Sequence, residues 1–338
     1  MNKTFKAHKI SAISVAMGQN YISFESEMIG TSTSKIELAK QNFGINAHYL
    51  CDDNTYASDL GTAALKSLLD SNAIKKEHID MLMCVTHTPD FLAPQTSSLI
   101  HKNLNLSQNT FCVDMTAYCF GFLQALQQAF INIQSGLENI VIICISAKSH
   151  LLDKTDKISY ATYSDSASCI LVQRASNLRN FALASKTFSQ YAKEETRPLC
   201  AYNKKGIETS SINNAMFFKF IMENFPPFFD EFLEKNTLNK DEIDTFYLHS
   251  PNAFFKTKLC QCLNISPSKC LAASLSLYAN ADTNNIPLNL ILHKWGGGSG
   301  IKRAIVASYG TGITMNIASF DINLDEIKFA KISCYSDF

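Results

Sequence analysis

Short apolar runs alternate along this chain with segments whose apolar residues recur at helical spacing. The apolar runs predict strands at residues 10–15, 81–85, 140–145, 169–172, 246–248, 304–308 and 313–317. The helical spacing predicts helices at residues 58–71, 95–104, 119–135, 218–235 and 252–262. Regular alternation of the two element types favours an α/β architecture. The continuous apolar character of residues 140–145 is typical of a strand buried on both faces.

The two halves of the chain repeat one local pattern. Residues 76–80 read Lys-Glu-His-Ile-Asp before the strand that starts at 81, and residues 240–244 read Lys-Asp-Glu-Ile-Asp before the strand that starts at 245. This echo favours an internal duplication.

Composition excludes several classes of function. Charged residues make up 18% of the 338 residues and the net charge is zero, so we expect neither a nucleic-acid partner nor an anionic membrane surface. The longest apolar stretches are too short to span a bilayer, and the first residues lead into no signal-peptide core. Eleven cysteines without a Cys-x-x-Cys motif indicate reduced thiols and predict no metal site. A cytoplasmic protein is expected.

Cys119 is the first candidate for chemistry. It lies between a polar loop and the apolar residues of the helix predicted at 119–135, so the thiol falls on a turn that leads into a helix N-terminus. Aligned peptide dipoles favour the thiolate there, and the thiolate is the nucleophile. A buried structural cysteine is the alternative, and for one Cys considered alone it is the more common case.

Two later residues strengthen the case for a reactive thiol. His249 follows an apolar strand, and Asn280 lies in a polar loop ahead of a helical run. Each alone is more often structural, but a thiol, an imidazole and an amide in this order can form a nucleophilic site. The same order occurs in papain-like proteases. Residues 118–121 do not match the nucleophile motif of that class, and no disulfide framework accompanies them.

Seven segments in the correct order resemble the β-ketoacyl-acyl-carrier-protein synthase III family of thiolase-superfamily condensing enzymes. They are residues 54–60 (Ser-Asp-Leu), 86–94 (Thr-Pro-Asp…Pro), the Cys119 run, 217–220 (Phe-Lys-Phe), 249–252 (His…Asn), 280–287 (family Asn-Thr-Ser-Ala-Ala-Ser-Ile-Pro) and 308–312. The resemblance covers nearly the whole chain. It implies an α/β thiolase fold with two duplicated halves in a five-layer αβαβα arrangement. The expected halves are residues 1–175, which carry the Cys, and 176–338, which carry the His and Asn. A homodimer is also implied.

The resemblance also implies roles for individual residues. Cys119 would take an acyl group from a thioester, and His249 and Asn280 would bind the carbonyl of a malonyl-type thioester during decarboxylative condensation. The backbone N–H groups of Cys119 and Thr311 would form the oxyanion hole of the acyl-enzyme. No permanently bound cofactor is expected. The expected substrates and partners are acyl-coenzyme A or acyl-carrier-protein thioesters.

Several positions depart from the family pattern. The family has Trp, Arg and Arg where this chain has Leu38, Asn42 and Phe254. Positive charge remains at Lys157 and Lys219, and Lys256 could substitute on the same face; these three lysines are the candidates for binding the donor's phosphate groups. The losses weaken the case for coenzyme A and favour a carrier protein or an unusual thioester.

One departure concerns the acyl pocket, where the family has a large aromatic residue and this chain has Ala93, which predicts room for a bulkier acyl group. Two other functions stay open. The same fold could pass the acyl group to an oxygen or nitrogen nucleophile without decarboxylation. A catalytically silent synthase subunit is the alternative from a different class, against which the intact Cys, His and Asn argue.

Overall fold

The apolar runs form the strands of two large sheets in the computed structural model, which describes residues 2–6, 8–175, 181–191, 200–203, 206–209 and 214–337. The strands are β1 (Asn2–Phe5), β2 (His8–Met17), β3 (Asn20–Ser23), β4 (Ala47–Leu50), β5 (Met81–Thr86), β6 (Phe111–Met115), β7 (Asn139–Ser146), β8 (Ser166–Arg174), β9 (Phe181–Thr187), β10 (Cys200–Asn203), β11 (Gly206–Thr209), β12 (Thr245–Leu248), β13 (Ile301–Gly310), β14 (Thr314–Asn323) and β15 (Lys328–Cys334). All seven strands expected from the sequence are present.

The helices include all five predicted ones. They are α1 (Phe24–Glu27), α2 (Thr33–Phe43), α3 (Ala57–Asp70), α4 (Thr96–Leu104), α5 (Gly121–Gln134), α6 (Lys157–Ala161), α7 (Asn214–Lys235), α8 (Ala253–Leu263), α9 (Ser274–Tyr278) and α10 (Asn285–Trp295). Helix α5 begins two residues after the position expected from periodicity, which leaves Cys119 in the preceding turn. None of the helices in the described ranges is both long enough and apolar enough to cross a membrane.

Two mixed sheets organise the molecule. One has six strands in the order β15-β2-β8-β7-β5-β6, and the other has five in the order β1-β9-β14-β13-β12. Strand β7 is buried along nearly its whole length, as its apolar sequence predicts. The terminal strands cross between the halves, because β1 pairs with β9 and β15 pairs with β2. The division at residues 175 and 176 stays a prediction, and residues 176–180 lie outside the described part of the chain.

Three separate buried clusters show how the layers stack. The central cluster contains residues of α5 and α10 together with residues of both sheets. A second cluster joins α3 and α4 to the six-stranded sheet, and a third joins α7 and α8 to the five-stranded sheet. The order is therefore helices, sheet, helices, sheet, helices. The five-layer α/β arrangement expected from the sequence is confirmed.

The repeated acidic segments occupy equivalent places in the two sheets. Lys76–His78 and Lys240–Glu242 each form a short 3-10 turn before β5 and β12. The Asp80 carboxylate accepts a hydrogen bond from the N–H of Asn139, at the start of the parallel neighbour β7 (2.8 Å). The Asp244 carboxylate accepts one from the N–H of Arg303, in the parallel neighbour β13 (2.7 Å). Equivalent contacts at equivalent strands are what a duplicated fold would produce.

Candidate active site

Cys119 lies in the turn between β6 and α5, directly ahead of the helix. Gly121 is the first residue of α5, and a Cβ there would lie 2.6 Å from Val85 Cγ1 and 3.1 Å from Ala117 Cβ. Glycine therefore lets the turn pack closely against β5. The N–H of Phe122 donates to Thr283 Oγ1 (3.1 Å), so the start of α5 is fixed to the loop that follows Asn280.

His249 follows the last residue of β12. Its N–H donates to the carbonyl of Ala307 (2.8 Å), which extends the parallel pairing of β12 with β13 by one residue. The Tyr309 hydroxyl donates to the His249 carbonyl. The backbone of this residue is thus held on both sides, and its ring is buried.

Asn280 is buried between α9 and α10. Its N–H donates to the carbonyl of Thr162 (3.0 Å), and its carbonyl accepts from the N–H of Ser164 (3.1 Å). Its side-chain Oδ1 accepts from the N–H of Asp282 (3.0 Å) and from Nδ2 of Asn285 (2.8 Å). The same Asn285 nitrogen lies 3.3 Å from His249 Nδ1. The structure thus brings the predicted histidine and asparagine to one amide group.

Three buried ionisable side chains surround this site. Asp282 Oδ2 lies 3.5 Å from Lys148 Nζ and 3.6 Å from His87 Nε2. The Lys148 ammonium also lies 3.6 Å from the centroid of the Tyr163 ring. The His87 ring stacks on Tyr118, the neighbour of the nucleophile, at 4.0 Å between centroids. Within the residues that the structure describes, the ring nitrogens of His87 make no hydrogen bond.

The charges in this cluster shift one another's ionisation. Burial opposes the charged form of Asp282, but the positive charge of Lys148 and the nearby His87 lower the pKa of the carboxyl to about 2. Burial likewise opposes the charged form of Lys148, and the Tyr163 and Asp282 side chains raise its pKa above the usual value. At neutral pH the pair is therefore a buried carboxylate and a buried ammonium.

The thiol of Cys119 is not held as a thiolate. Cys119 keeps some accessible surface, but protein atoms crowd its sulfur, and this burial raises the pKa of the thiol well above its ordinary value. The negative charge of Asp282 raises the pKa further, while Lys148 opposes it. Burial and the Asp282 carboxylate therefore act against the effect expected of the helix N-terminus, which favours the thiolate.

His249 is neutral at physiological pH. Burial lowers the pKa of its imidazole to about 4, and Lys148 lowers it as well, although the Asp282 carboxylate acts in the opposite direction. A neutral imidazole can donate one hydrogen bond without carrying a charge. Cys119 and His249 both interact with the Asp282 carboxylate, and Asn280 is bonded to its backbone. The three predicted side chains therefore lie around one residue.

The segment of Thr311 lies beside the nucleophile. It follows Gly310, the last residue of β13, and a Cβ on Gly310 would lie 3.5 Å from the backbone nitrogen of Cys119. The same Cβ would lie 2.8 Å from Phe120 Cδ1, so glycine permits this close approach. The role of the Thr311 N–H as a second donor stays a prediction.

A cavity of about 430 Å³ adjoins this site at Asn280. Its walls are mainly apolar, with Phe217, Phe218 and Phe254 among them, and the buried Asn280 also lines it. The three predicted phosphate-binding lysines each follow or precede a lining residue in sequence. Lys157 donates to the carbonyl of Ile29 (2.6 Å), and Lys219 pairs loosely with Glu223 at 3.9 Å. Lys256 is half-buried on α8. Their binding role stays a prediction.

Sequence reasoning missed the residues that set the electrostatics. Asp282 and Asn285 lie inside the loop that was compared with the family, at two places where the family has serine, and those differences were a usable signal. Lys148 follows the buried strand β7 by two residues, and His87 lies in the loop after β5. Nothing local distinguishes these two from solvated loop residues, because only the packing of distant segments buries them.

Known proteins of one family are similar to this chain. Residues 113–190, which include the Cys119 turn, match the family model described as 3-Oxoacyl-[acyl-carrier-protein (ACP)] synthase III. A relative from Ehrlichia ruminantium, named Beta-ketoacyl-[acyl-carrier-protein] synthase III, is 28% identical over 299 residues, which cover 86% of this chain and 92% of the relative.

Solved structures show the same fold. A 3-oxoacyl-(acyl-carrier protein) synthase from Burkholderia xenovorans superposes with a TM-score of 0.89 at 17% identity and covers 99% of both chains. A 3-oxoacyl-[acyl-carrier-protein] synthase III from Aquifex aeolicus superposes with a TM-score of 0.81 at 22% identity and covers 93% of this chain and all of that one. The match around the Cys119 turn, the relatives aligned over most of both chains and the shared thiolase fold make this chain similar to the β-ketoacyl-acyl-carrier-protein synthase III proteins.

Proposed function

We propose that the protein is a condensing enzyme that joins an acyl group carried on Cys119 to a malonyl-type thioester with loss of carbon dioxide. The observation that carries this proposal is the pair formed by His249 and Asn280, which one amide group joins and which shares the neighbour Asp282 with Cys119. Two neutral donors near a thiol suit the binding of a thioester carbonyl that gains negative charge as an enolate forms.

In the first half-reaction the Cys119 sulfur attacks the carbonyl carbon of the donor thioester. The bond between that carbon and the donor's sulfur breaks, and the thiol proton leaves with the departing thiol. The backbone N–H groups of Cys119 and Thr311 would stabilise the tetrahedral oxyanion, a contribution of about 3 kcal/mol per donor.

In the second half-reaction the malonyl-type thioester occupies the site of the departed thiol. Loss of its carboxylate as carbon dioxide leaves an enolate, whose oxygen would accept hydrogen bonds from His249 and Asn280. The enolate carbon attacks the acyl carbon on Cys119, and the carbon–sulfur bond breaks to give the 3-oxoacyl product and the Cys119 thiolate, which takes a proton from water to return to the thiol. The neutral state of His249 suits a donor that stabilises the enolate and need not give up a proton.

The cavity supports a pantetheine-type arm as the part of the substrate that enters the protein. Its apolar walls have room for a slender chain, whereas the basic positions at its mouth are few. Lys157 and Lys219 already contact other groups, and Phe254 stands where the family has an arginine. We therefore propose a carrier-protein thioester in preference to coenzyme A, with Lys256 among the residues at the docking face.

The edge of the six-stranded sheet supports a homodimer. Strand β6 is the outermost strand of that sheet, and Phe111 at its start is exposed. Phe91 and Leu92, in the loop that precedes α4, are exposed as well. Among the described strands β6 pairs with β5 alone, and large apolar side chains near such an edge favour pairing with a second copy of the chain. A reactive thiol also requires reducing surroundings, and we propose a cytoplasmic location.

The test is the mass of the intact protein after incubation with acyl-coenzyme A and acyl-carrier donors, with Cys119→Ser as the control. A mass gain on the wild type alone supports acylation of Cys119. Malonyl carrier is then added, and release of carbon dioxide with a 3-oxoacyl product supports condensation. Transfer of the acyl group to an amine or alcohol without release of carbon dioxide would support the alternative acyltransferase. No acylation by any donor would favour the silent subunit.

A further inference from the structure

Asn285, the first residue of α10, is almost fully buried and uses every polar atom of its side chain. Its Oδ1 accepts from the N–H of Ala281 (2.9 Å). Because a backbone N–H can only donate, this contact identifies the oxygen of the amide. The nitrogen Nδ2 must then face Asn280 Oδ1 at 2.8 Å and His249 Nδ1 at 3.3 Å.

The same logic fixes the orientation of Asn280. Its Oδ1 accepts from the backbone N–H of Asp282 (3.0 Å) in addition to Asn285, so the identity of this oxygen does not depend on the assignment at Asn285. The Asn280 nitrogen must point the other way. Asn280 lines the cavity described above, and among the described residues its N–H₂ has no acceptor, so this group can donate to a bound carbonyl.

The contact with Asn285 also determines the tautomer of His249. An amide N–H₂ donates and cannot accept, so His249 Nδ1 must be the nitrogen without a proton. The imidazole is neutral, and its one N–H therefore lies on Nε2. The Asn285 amide thus acts on both side chains. Together with the N–H of Asp282 it holds the Asn280 oxygen, which leaves the Asn280 nitrogen to donate, and it makes Nε2 the donor of His249.

We propose that Asn285 is the positioning residue of this site, which orients Asn280 and selects the Nε2–H tautomer of His249 so that both donate to the same substrate carbonyl. The proposal rests on the function proposed above. The family that residues 280–287 resemble has a serine at the position of Asn285. Its single hydroxyl proton can serve one acceptor at a time, whereas the two protons of the Asn285 amide serve two.

The test compares two isosteric substitutions on the same helix. Asn285→Asp keeps the oxygen that accepts from Ala281 and replaces the donating nitrogen by an oxygen. Asn289→Asp is the matched control. Asn289 Oδ1 also accepts from a backbone N–H, that of Ser274 (3.0 Å), while its nitrogen donates, within the part of the chain that the structure describes, to the carbonyl of Asn285 alone (2.8 Å). Both variants place a new carboxyl group in the interior, so a similar loss of stability is expected of both.

The expected result is a difference in condensation. Asn285→Asp should lower the condensation rate by about 10- to 100-fold, the usual effect of leaving buried partners unsatisfied, and should alter the acylation of Cys119 by less than about 3-fold. Asn289→Asp should change both rates by less than about 3-fold. Equal losses of condensation in the two variants would overturn the proposal. If Asn285→Asp does not fold, Asn285→Ala removes the same donor without adding a charge and is held to the same comparison.

A second measurement needs no substrate and therefore separates this proposal from the proposed function. Nitrogen-15 shifts of labelled histidine, with His249 assigned by loss of its signals in His249→Gln, report which ring nitrogen carries the proton. The wild type should show Nε2–H, and Asn285→Ala should show a mixture of tautomers. A wild-type His249 protonated at Nδ1 would overturn the proposal even if the enzyme condenses thioesters, and the expected tautomers would support it even if no donor is found.

Discussion

Replacing Asp282 by asparagine should leave the Lys148 ammonium buried without its counter-charge. Both side chains are almost fully buried, and Nζ lies 3.5 Å from Oδ2. Two unit charges at this distance attract each other by about 5 kcal/mol at an effective dielectric constant of about 20. Loss of one partner of a buried pair typically lowers the free energy of unfolding by about 3–5 kcal/mol. The contact of Lys148 with the Tyr163 ring remains in the variant. We therefore expect Asp282→Asn to lower the free energy of unfolding by about 3 kcal/mol, the lower end of that range.

A double-mutant cycle measures this interaction directly. Asp282→Asn, Lys148→Met and the double variant are unfolded in urea at pH 7. Each single variant should lose about 3 kcal/mol, while the double variant, which has no unpaired buried charge, should lose only about 1 kcal/mol. The resulting coupling agrees with the electrostatic value. Asp53→Asn, on an exposed carboxylate, is the control and should change stability by less than about 0.5 kcal/mol.

A small coupling energy would contradict the description of a buried ion pair. A coupling energy below about 1 kcal/mol is typical of an ion pair on the surface. Such a value would show that water reaches the pair and that the buried cluster does not exist as described.

Asp282→Asn should also affect the nucleophile. Without the carboxylate the pKa of Cys119 should fall, because no negative charge then opposes the effect of Lys148 on the thiol. The alkylation of Cys119 by iodoacetamide should accordingly extend to lower pH.

Three further predictions concern pH, catalysis and specificity. Burial lowers the pKa values of His87 and His249 from 6.5 to about 4. Between pH 6.5 and pH 4 the two imidazoles therefore bind protons in the unfolded chain but not in the folded protein. The free energy of unfolding should therefore fall as pH drops from 6.5 to 4, by about 3 kcal/mol per histidine, and the slope in urea titrations should flatten in His249→Gln. Asn280→Ala should lower the condensation rate by about 10²- to 10³-fold in a carbon dioxide release assay while Cys119 is still acylated, and equal loss of both steps would contradict its role as a donor to the second substrate. Ala93→Phe should exclude bulky acyl donors in the intact-mass assay, and a wild type confined to acetyl donors together with a harmless substitution would refute an enlarged pocket.

The sequence was informative wherever the signal is local. A buried strand such as β7 needs an unbroken apolar run, and the run alone predicted it. Cys119 was placed correctly ahead of a helix because the periodic residues of α5 follow it in sequence. The order of His249 and Asn280 after apolar and polar segments was also visible, although each residue alone is unremarkable in its segment.

Boundaries and pairings were less accessible. The helical run that follows the loop of Asn280 has its apolar residues at 288–292. Helix α10 nevertheless begins three residues earlier, at Asn285, because polar side chains there are bonded to the site. The pairing of β15 with β2 joins residues more than 300 positions apart in sequence. The hydrophobic pattern of either segment does not identify its partner, because a strand has the same alternation of apolar and polar residues whichever strand lies next to it.

What the sequence by itself determined is therefore the alternation of elements, the family pattern and the identity of the three candidate catalytic side chains. Only the tertiary structure decided their chemical states. Three separate loops supply Lys148, His87 and Asp282, and the sequence of each loop predicts that it is exposed to solvent. The three side chains form a buried cluster only when these distant segments pack together. Ionisation depends on the surrounding dielectric and on nearby charges, and both are properties of the assembled fold. For that reason Cys119 rests as a thiol although its position before a helix suggested a thiolate.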